Sequence, residues 1–342
     1  MKPRVVVNGF GRIGRMVFRK AVMDDSLDVV AVNASYPAET LAHLLKYDST
    51  HGIFEGNVES GNDEIIVNNK RILVVSDREP ENLPWNELQV DIVVEATGKF
   101  KSKQEAGRHL TAGAEKVVIT APGKEEDATI VMGVNEEDYD PDNHHVISNS
   151  SCTTNCLAPV VKVLDRSFGI ESGLMTTVHS YTNDQMNIDN PHKDLRRARS
   201  CGQSIIPTST GAATSISQLL PNLDGKLNGM ALRVPTPNVS LVDLVVDLET
   251  DVSKEEVNQA FEAAANADMK GILDFTNDPL VSVDFNGNDH SSIVDGLSTT
   301  VINNKQVKIL AWYDNEWAYS CRVVNLVHHV GSFLTKTSMV ST

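Results

Sequence analysis

The chain has 342 residues, which is long for a single hydrophobic core and suits two domains. Its formal charge of −16 disfavours binding to nucleic acid or to an anionic membrane surface. The apolar runs are too short to cross a bilayer, and four cysteines are too few to suggest a disulfide framework. Because no charged and then apolar leader precedes the first strand pattern, we expect a cytoplasmic protein.

The first half of the chain alternates short β-branched runs with helical patterns. It predicts strands at residues 4–8, 29–33, 92–95, 116–120 and 146–149, and helices at residues 14–24 and 39–47. Two apolar runs around an Asn-Asn turn predict a hairpin within residues 63–76. Strands separated by helices indicate a mainly parallel sheet.

The second half has longer strand patterns and fewer helices. Strands are predicted at residues 173–181, 229–234, 241–248 and 306–312, and a capping box from Ser253 to Glu256 opens a helix that ends near Ala267. This pattern is typical of an α+β domain with a largely antiparallel sheet. The polar stretch 183–206 predicts a long loop with a role in function or in an interface, and residues 335–342 are predicted to be disordered.

These patterns predict an α/β protein with two domains. Residues 1–151 form an N-terminal Rossmann dinucleotide-binding domain, which a C-terminal helix at 317–342 completes. Residues 152–316 form an α+β catalytic domain with a mostly antiparallel sheet.

A G-x-G-x-x-G turn, made by Gly9, Gly11 and Gly14, joins the first strand to the first helix. Such glycines let a pyrophosphate approach the N–H groups of a helix start, although the same turn also occurs without a ligand. About 20 residues further on, NAD enzymes of this fold usually carry a carboxylate, but this chain has Ala34 and Ser35. The absence of this carboxylate removes a negative charge that would repel the 2′-phosphate of NADP. We therefore expect NADP to be preferred; the alternative is that the carboxylate is dispensable and NAD still binds.

Cys152 is the candidate nucleophile. It lies in the first turn of a predicted helix whose N-cap is Ser151, and helix N-termini stabilise thiolates. The other cysteines, Cys156, Cys201 and Cys321, are better explained as packing residues. No further Cys or His cluster lies close in the sequence, so no metal site is predicted.

Two more polar residues are candidates. His179 ends a strand and is a possible partner of the thiol, although a lone histidine in a strand is more often structural. Asn315 precedes the last helix and is either a site residue or a helix cap.

Four segments of the chain resemble a known family. They read NGFGRIGR at residues 8–15, SCTTN at 151–155, PTSTGAA at 207–213 and WYDNEW at 312–317. With them, essentially the whole chain resembles the glyceraldehyde-3-phosphate dehydrogenases. Asn190 and the Asn33-Ala34-Ser35 sequence are most similar to the NADP-preferring bacterial branch.

This resemblance implies a reversible, phosphorylating oxidation of D-glyceraldehyde 3-phosphate to 1,3-bisphosphoglycerate with NADP or NAD. Cys152 would attack the aldehyde, and His179 would lower the pKa of the thiol and take the hydroxyl proton. Inorganic phosphate would then cleave the resulting thioester. The resemblance also implies a homotetramer in which the loop at 183–206 reaches a neighbour's cofactor site.

The resemblance further implies two sets of contacts. For the cofactor they are Gly9, Gly11, Arg12, Ile13, Gly14, Ala34, Ser35, Arg78, Thr97, Thr120 and Asn315. For the substrate phosphate and the incoming phosphate they are Ser151, Thr153, Thr182, Arg197, Thr210, Gly211 and Arg233. Independently of the resemblance, two anionic reactants need hydrogen-bond donors, preferably arginine forks, on so acidic a protein.

The sequence departs from the family pattern at Thr214, where many members carry Lys, at Ala318, where Gly is common, and at Ser180, where Ala is common. An erythrose-4-phosphate dehydrogenase, which hydrolyses the thioester, is one alternative, but the retained Thr210-Gly211-Ala212 favours phosphorolysis. A catalytically silent dinucleotide-binding protein is the other, and it would not need to keep both the thiol and the histidine.

Overall fold

The computed structural model describes residues 2–334, which form two compact units. Within the described residues, the first unit comprises residues 2–130, 135–150 and 320–334, and the second comprises Val131–Val134 and Ser151–Tyr319. The tail predicted to be disordered, residues 335–342, lies outside the described residues, as does the end of the predicted helix at 317–342.

The described part of the first unit contains eleven strands and four α-helices of its own. The strands are β1 Arg4–Asn8, β2 Asp28–Asn33, β3 Tyr47–Asp48, β4 Gly52–Ile53, β5 Val58–Ser60, β6 Glu64–Val67, β7 Lys70–Val75, β8 Ile92–Glu95, β9 Lys116–Ile119, β10 Ala128–Thr129 and β11 Val146–Ser148. The helices are α1 Arg12–Val22, α2 Ala38–Lys46, α3 Lys103–Ala106 and α4 Arg108–Thr111.

A nine-stranded sheet organises this unit, in the order β10-β11-β9-β8-β1-β2-β7-β6-β5. Its central strands pair in parallel and are buried along their length, as β-branched runs covered on both faces require. The predicted hairpin is confirmed: β6 and β7 are antiparallel, and Asn68 and Asn69 both have positive φ, at 49° and 68°. Two consecutive residues with positive φ suit the tight two-residue hairpin turn, whose backbone twist matches the twist of the strands that it joins.

The second unit contains the remaining elements. They are α5 Cys152–Phe168, β12 Ile170–Ser180, β13 Ile206–Ser209, α6 Ala212–Leu219, β14 Leu227–Val234, β15 Ser240–Leu248, α7 Lys254–Asn266, β16 Leu273–Thr276, β17 Ser292–Asp295, β18 Thr300–Ile302 and β19 Gln306–Tyr313. The helix α8, Trp317–Ser332, follows at the end of the described chain.

The sheet of the second unit runs in the order β13-β14-β12-β15-β19-β17-β16, with β18 beside β19. Most of its pairs are antiparallel, and the predicted fold class is confirmed. Residues alternate along β15 between buried and half-buried, and its buried side packs with the apolar face of α5 in one core. The ends of α5 therefore stand at fixed positions on the sheet.

Some element boundaries differ from the predicted ones. The helix α1 begins at Arg12, two residues before its predicted start, because Gly11 serves as the N-cap. Residues 181–205 contain no helix or strand, as the polar pattern predicted. The capping box of α7 is present, with Ser253 accepting from the Glu256 N–H. Among the described residues, no helix is long and apolar enough to cross a membrane.

Candidate active site

The glycine turn after β1 has no room for a side chain at Gly9 or at Gly14. Gly9 has a φ of +96°, and a Cβ there would lie 2.8 Å from the backbone N of Thr97. A Cβ on Gly14 would lie only 2.0 Å from the carbonyl O of Gly9. Because Gly11 caps α1 without a side-chain hydrogen bond, the start of this helix can receive an anion.

A cavity of about 490 Å³ in the first unit adjoins this turn. Of the predicted cofactor contacts, six line the cavity: Gly9, Gly11, Ala34, Ser35, Arg78 and Thr97. Sequence reasoning missed two cations on the wall, Arg15 and Lys99, and one carboxylate, Asp77. The sequence signal for Lys99 was its place just after β8, since parallel strands end at a ligand-binding edge.

Five predicted cofactor contacts do not line this cavity: Arg12, Ile13, Gly14, Thr120 and Asn315. The Arg12 guanidinium instead forms an ion pair with Asp48, and the Thr120 hydroxyl donates to the carbonyl O of Glu95 at 3.1 Å. Ile13 lies within α1 and is also absent from the wall. Burial alone would raise the pKa of Asp48, but hydrogen bonds from Arg12 and from backbone N–H groups outweigh it and hold that pKa well below its usual range.

The candidate nucleophile opens α5, as predicted. Ser151 is the N-cap, and its Oγ accepts from the Thr154 N–H at 3.0 Å. Directly before it, the buried Ser150 has a left-handed φ of 56°, and its N–H donates to Ser148 Oγ at 2.9 Å. This conformation, unusual for a residue other than glycine, turns the chain from β11 into α5.

Cys152 and His179 lie within reach of each other. Cys152 Sγ is 3.5 Å from His179 Nε2, and the imidazole is buried. On its other side, His179 Nδ1 lies 2.6 Å from the carbonyl O of Ser180, which can only accept a hydrogen bond. Arg233 Nη1, which can only donate, lies 2.7 Å from the same Nδ1, so either tautomer of the neutral imidazole has a partner there.

Electrostatics makes the resting pair a neutral one. Burial raises the pKa of the Cys152 thiol, against the opposing charge of Arg233 and hydrogen bonds from Thr153. Burial and then the Arg233 charge lower the pKa of His179 to about 3. The expected lowering of the thiol pKa is thus not found in the free protein, because desolvation outweighs the helix start.

Two arginines bring positive charge to this pair. Arg233 on β14 lies opposite His179 in the sheet register, and its Nη1 donates to the Ser180 carbonyl at 2.9 Å. Its Nε is buried and has no hydrogen-bond partner in the described chain. Arg197 donates through Nε to Thr208 Oγ1 at 2.8 Å and also pairs with Asp184. A buried donor without an acceptor marks a position for an anion.

The predicted phosphate contacts differ in how available their hydroxyls are. Thr153 is buried, and its Oγ1 lies 2.9 Å from the Tyr313 hydroxyl. Thr182 Oγ1 donates weakly to Gln185 Oε1 at 3.4 Å. Thr210 Oγ1 accepts from the Ala212 N–H at 3.2 Å, beside the N-cap Gly211 of α6.

Asn315 is not the helix cap. Asp314 Oδ1 accepts from the N–H groups of Glu316 and Trp317, at 2.9 and 2.8 Å, at the start of α8. Asn315 is buried, and its Oδ1 accepts from Ser240 Oγ at 2.7 Å.

Sequence reasoning missed two residues that shape this site. The Tyr313 hydroxyl lies 2.8 Å from Thr177 Oγ1 as well as against Thr153, and its ring packs edge-on against the His179 ring. The carboxylate of Asp184 neutralises Arg197. Neither carries a spacing signal, because each contact joins residues that are distant in sequence or hidden in the long loop.

The fold and the site define a dinucleotide-dependent oxidoreductase with a cysteine–histidine pair. Residues 3–103 match the family model described as glyceraldehyde 3-phosphate dehydrogenase, NAD binding domain, and residues 151–315 match its C-terminal domain. The chain belongs to the glyceraldehyde 3-phosphate dehydrogenase family. Its cofactor is accordingly a nicotinamide dinucleotide.

Curated relatives match along their whole length. Glyceraldehyde-3-phosphate dehydrogenase 2 of Bacillus subtilis is 65% identical over 340 residues, which cover 99% of this chain and 100% of the relative. The glyceraldehyde-3-phosphate dehydrogenase of Geobacillus stearothermophilus is 59% identical over 332 residues, covering 97% of this chain and 99% of the relative. Glyceraldehyde-3-phosphate dehydrogenase 2 of Staphylococcus epidermidis is 57% identical over 341 residues, covering 99% of each.

Proposed function

We propose that this protein catalyses the reversible, phosphorylating oxidation of D-glyceraldehyde 3-phosphate to 1,3-bisphosphoglycerate through a thioester on Cys152. The observation that carries the proposal is the contact of 3.5 Å between Cys152 Sγ and His179 Nε2, beside the buried and unpartnered Nε of Arg233. A nucleophile, a base and an anion donor are thus combined in one unit.

The first chemical step follows from the neutral resting pair. In the tautomer with its proton on Nδ1, His179 takes the thiol proton on Nε2 as Cys152 Sγ attacks the aldehyde carbon, and it passes that proton to the carbonyl oxygen to give a hemithioacetal. The same nitrogen then removes the hydroxyl proton as the carbon is oxidised to a thioester. When bound, the nicotinamide supplies the chemistry of this oxidation by accepting two electrons and a proton equivalent from that carbon.

The second step needs a phosphate held near the thioester. An oxygen of inorganic phosphate attacks the acyl carbon, the C–S bond breaks, and Cys152 leaves as a thiolate with the product as an acyl phosphate. We assign the substrate phosphate to Arg233, Arg197 and Thr182, and the attacking phosphate to Ser151 and Thr153 and to the start of α6 at Thr210 and Gly211. The ion pair between Arg197 and Asp184 must break before Arg197 can bind the substrate phosphate.

The cofactor proposal is that NADP is preferred and that NAD is also used. The cavity residues fit a dinucleotide, with the glycine turn and the start of α1 for the pyrophosphate and Ala34 and Ser35 at the end of β2 for the adenosine ribose. The exposed Arg78 has no hydrogen bond or ion pair with the rest of the described chain. Its free guanidinium supports a contact with a 2′-phosphate. We assign Asn315 to the nicotinamide carboxamide.

A phosphate-dependent assay tests the proposed reaction. We expect the purified protein to reduce NADP or NAD with glyceraldehyde 3-phosphate at a steady rate only when phosphate or arsenate is present. The Cys152→Ser variant, in which a weaker nucleophile replaces the thiol, serves as the matched control and should be inactive. Steady turnover without phosphate, unchanged when phosphate is added, would instead indicate a hydrolytic relative.

Restoring the missing carboxylate tests the cofactor preference. In Ala34→Asp we expect the ratio of kcat/KM for NADP to that for NAD to fall by about tenfold, because a carboxylate repels the 2′-phosphate and binds the ribose hydroxyls of NAD. Leu44→Asp, a charge added elsewhere on the cavity wall, controls for the general effect of charge. An unchanged ratio in Ala34→Asp would show that the cofactor is selected at another position.

We also propose that the protein is a cytoplasmic homotetramer, in which residues 1–151 with the C-terminal helix bind the cofactor and residues 152–316 carry the chemistry. The four cysteines form no disulfide, which suits a reducing compartment. The exposed apolar side chains of the long loop, including Ile188, Leu195 and Ile205, support an interface there.

A further inference from the structure

A chain of hydrogen bonds between buried side chains underlies the cofactor cavity of the first unit. Its members, Trp85, His109, Glu95, Asn8 and Asn33, are each at most 8% exposed. They come from a loop, from α4 and from the ends of β8, β1 and β2, three strands that are adjacent in the sheet. Neither the glycine motif nor the proposed chemistry accounts for so many buried polar groups.

The hydrogen bonds that link Trp85, His109 and Glu95 can run in only one direction. The indole N–H of Trp85 can only donate, and it lies 2.9 Å from His109 Nδ1. His109 Nδ1 is therefore the acceptor, and His109 Nε2 carries the proton that it donates to Glu95 Oε2 at 3.2 Å. Asn8 Nδ2 donates to the same carboxylate oxygen.

In the rest of this hydrogen-bond network, backbone groups fix the orientation of the carboxamides. Asn33 Oδ1 accepts from the Asp77 N–H at 3.1 Å, and Asn33 Nδ2 donates to the Asp77 carbonyl O at 2.8 Å. The second hydrogen of Asn33 Nδ2 goes to Asn8 Oδ1 at 2.6 Å. Neither carboxamide can flip, because a flip of Asn33 would oppose like groups at Asp77 and a flip of Asn8 would do so at Asn33 and Glu95.

The chain of bonds ends at the cavity wall. Asp77 and Arg78 line the cavity, as do Asn8 and Asn33 themselves. The second oxygen of the Glu95 carboxylate, Oε1, accepts from the Thr97 N–H at 2.8 Å, and Thr97 is another wall residue. One buried network thus holds three strand ends and the segment that carries Arg78.

We propose that Asn33 is a positioning residue for cofactor selection, because its carboxamide, oriented through Asn8, Glu95, His109 and Trp85, clamps the Asp77 backbone and so places Arg78. This inference rests on the proposed use of NADP, to which Arg78 supplies the charge. Arg78 has no other partner in the described chain to hold it, so its position depends on the backbone beside it. Binding of NADP is therefore sensitive to a side chain beneath the cavity as well as to the guanidinium itself.

The Asn33→Asp substitution tests this with almost no change in volume. A carboxylate cannot donate to the Asp77 carbonyl or to Asn8 Oδ1, so the clamp opens. By titration calorimetry we expect the Kd for NADP to rise by about tenfold and the Kd for NAD to rise by less. Asn57→Asp, on an exposed carboxamide of the same unit, is the matched control and should leave both Kd values unchanged.

A double-mutant cycle separates positioning from a general loss of structure and from direct repulsion of NADP by the new carboxylate, which would alter the ratio of the two Kd values even without Arg78. If Asn33 acts through Arg78, Asn33→Asp in an Arg78→Ala background should no longer alter the ratio of the two Kd values. Glu95→Gln is a second variant: it puts an NH2 group against donors on one side or the other, and it should shift the ratio in the same direction. A merely structural role would weaken NADP and NAD alike in both backgrounds.

Hydrogen exchange of the ligand-free protein makes the outcome independent of the proposed function. We expect the Asp77 N–H to be protected in the parent protein and to exchange faster in Asn33→Asp. Unchanged exchange, or an unchanged ratio of Kd values in the single variant, would overturn the inference. Failure of the parent protein to bind either dinucleotide would overturn the proposed function instead, and the exchange result would still decide whether Asn33 clamps Asp77.

Discussion

At the scale of single residues, Arg233 has three effects on the site. Its charge favours the thiolate form of Cys152, it disfavours a second proton on His179, and its Nε is buried without an acceptor. The second effect keeps the histidine a neutral base, whereas the first opposes the burial that keeps Cys152 a thiol. The third favours an anionic substrate in the place where a charged donor has no other partner.

The charge of Arg233 gives a prediction for the pH dependence of alkylation. Iodoacetamide reacts with the thiolate, so labelling of Cys152 should rise with pH through the pKa of the thiol. Burial already raises that pKa and Arg233 opposes it, so Arg233→Met should move the midpoint to higher pH and slow labelling at neutral pH. The measurement is the labelling rate against pH, followed by peptide mass spectrometry.

The buried Cys156 is the internal control for this experiment. Burial raises its pKa strongly, so it should stay unlabelled in both proteins. A midpoint that falls in Arg233→Met would contradict the account. It would show that protonation of His179, released from the Arg233 charge, governs the thiol instead.

At the scale of elements, the site depends on sheet register and on one helix start. His179 and Arg233 are partners on the parallel strands β12 and β14, and α5 brings Cys152 to the same place. The Tyr313 hydroxyl on β19 contacts Thr153 on α5 and Thr177 on β12. Tyr313 therefore joins three elements directly beneath the thiol and the imidazole.

Removing the Tyr313 hydroxyl tests this connection. In Tyr313→Phe two buried threonine hydroxyls lose a partner, and we expect the free energy of unfolding to fall by about 1–2 kcal/mol. We also expect kcat to fall more than KM changes, because Tyr313 positions Cys152 and His179 and has no contact with substrate in the proposed mechanism. Denaturant unfolding and steady-state kinetics measure the two effects.

Tyr47→Phe, which removes a hydroxyl from an exposed tyrosine, provides the comparison and should change neither quantity. If Tyr313→Phe and the parent protein have the same unfolding midpoint, the Tyr313 hydroxyl adds nothing to the connection between these elements.

Sequence patterning predicted the elements whose burial follows a simple period. The buried runs of β1, β8 and β9, the hairpin at Asn68 and Asn69, and the cap at Ser151 are all present. Two short strands were missed: β10 has only two residues, and in β16 the polar Asp274 and Thr276 interrupt the apolar run that marks β8 and β9.

Sequence patterning was less informative about the site. It named Cys152 and His179, but their contact joins residues 27 apart and depends on the tertiary fold. It placed Arg12 at the pyrophosphate, whereas the side chain pairs with Asp48, which no spacing rule connects to it. The pKa of the thiol was expected to be lowered by the helix start, but burial, which a linear sequence does not show, has the larger effect.

At the scale of the whole molecule, the long loop exposes more apolar surface than a solvated loop needs. Within it, Ile188 is 79% exposed, Leu195 is 81% exposed and Ile205 is 66% exposed. These side chains follow one another in a segment with no helix or strand to bury them. Contact with another copy of the chain in the proposed homotetramer would remove them from water.

A charge on this loop tests the assembly. We expect Leu195→Asp to lower the oligomeric state measured by size-exclusion chromatography with light scattering, since a carboxylate is costly in an apolar interface. Leu297→Asp, at another exposed leucine of the second unit, should leave the mass unchanged. A parent protein that is already a monomer, or a Leu195→Asp variant with the parental mass, would contradict the proposed role of the loop.

The central claim, a covalent intermediate on Cys152, is tested most directly by mass spectrometry after a single turnover. The protein is mixed with glyceraldehyde 3-phosphate and NADP or NAD in the absence of phosphate, quenched in acid and digested. The account predicts a burst of reduced cofactor and a 3-phosphoglyceroyl adduct on the peptide that carries Cys152, which disappears when phosphate is added before the quench. A burst without an adduct on that peptide, or an adduct that phosphate does not discharge, would contradict it.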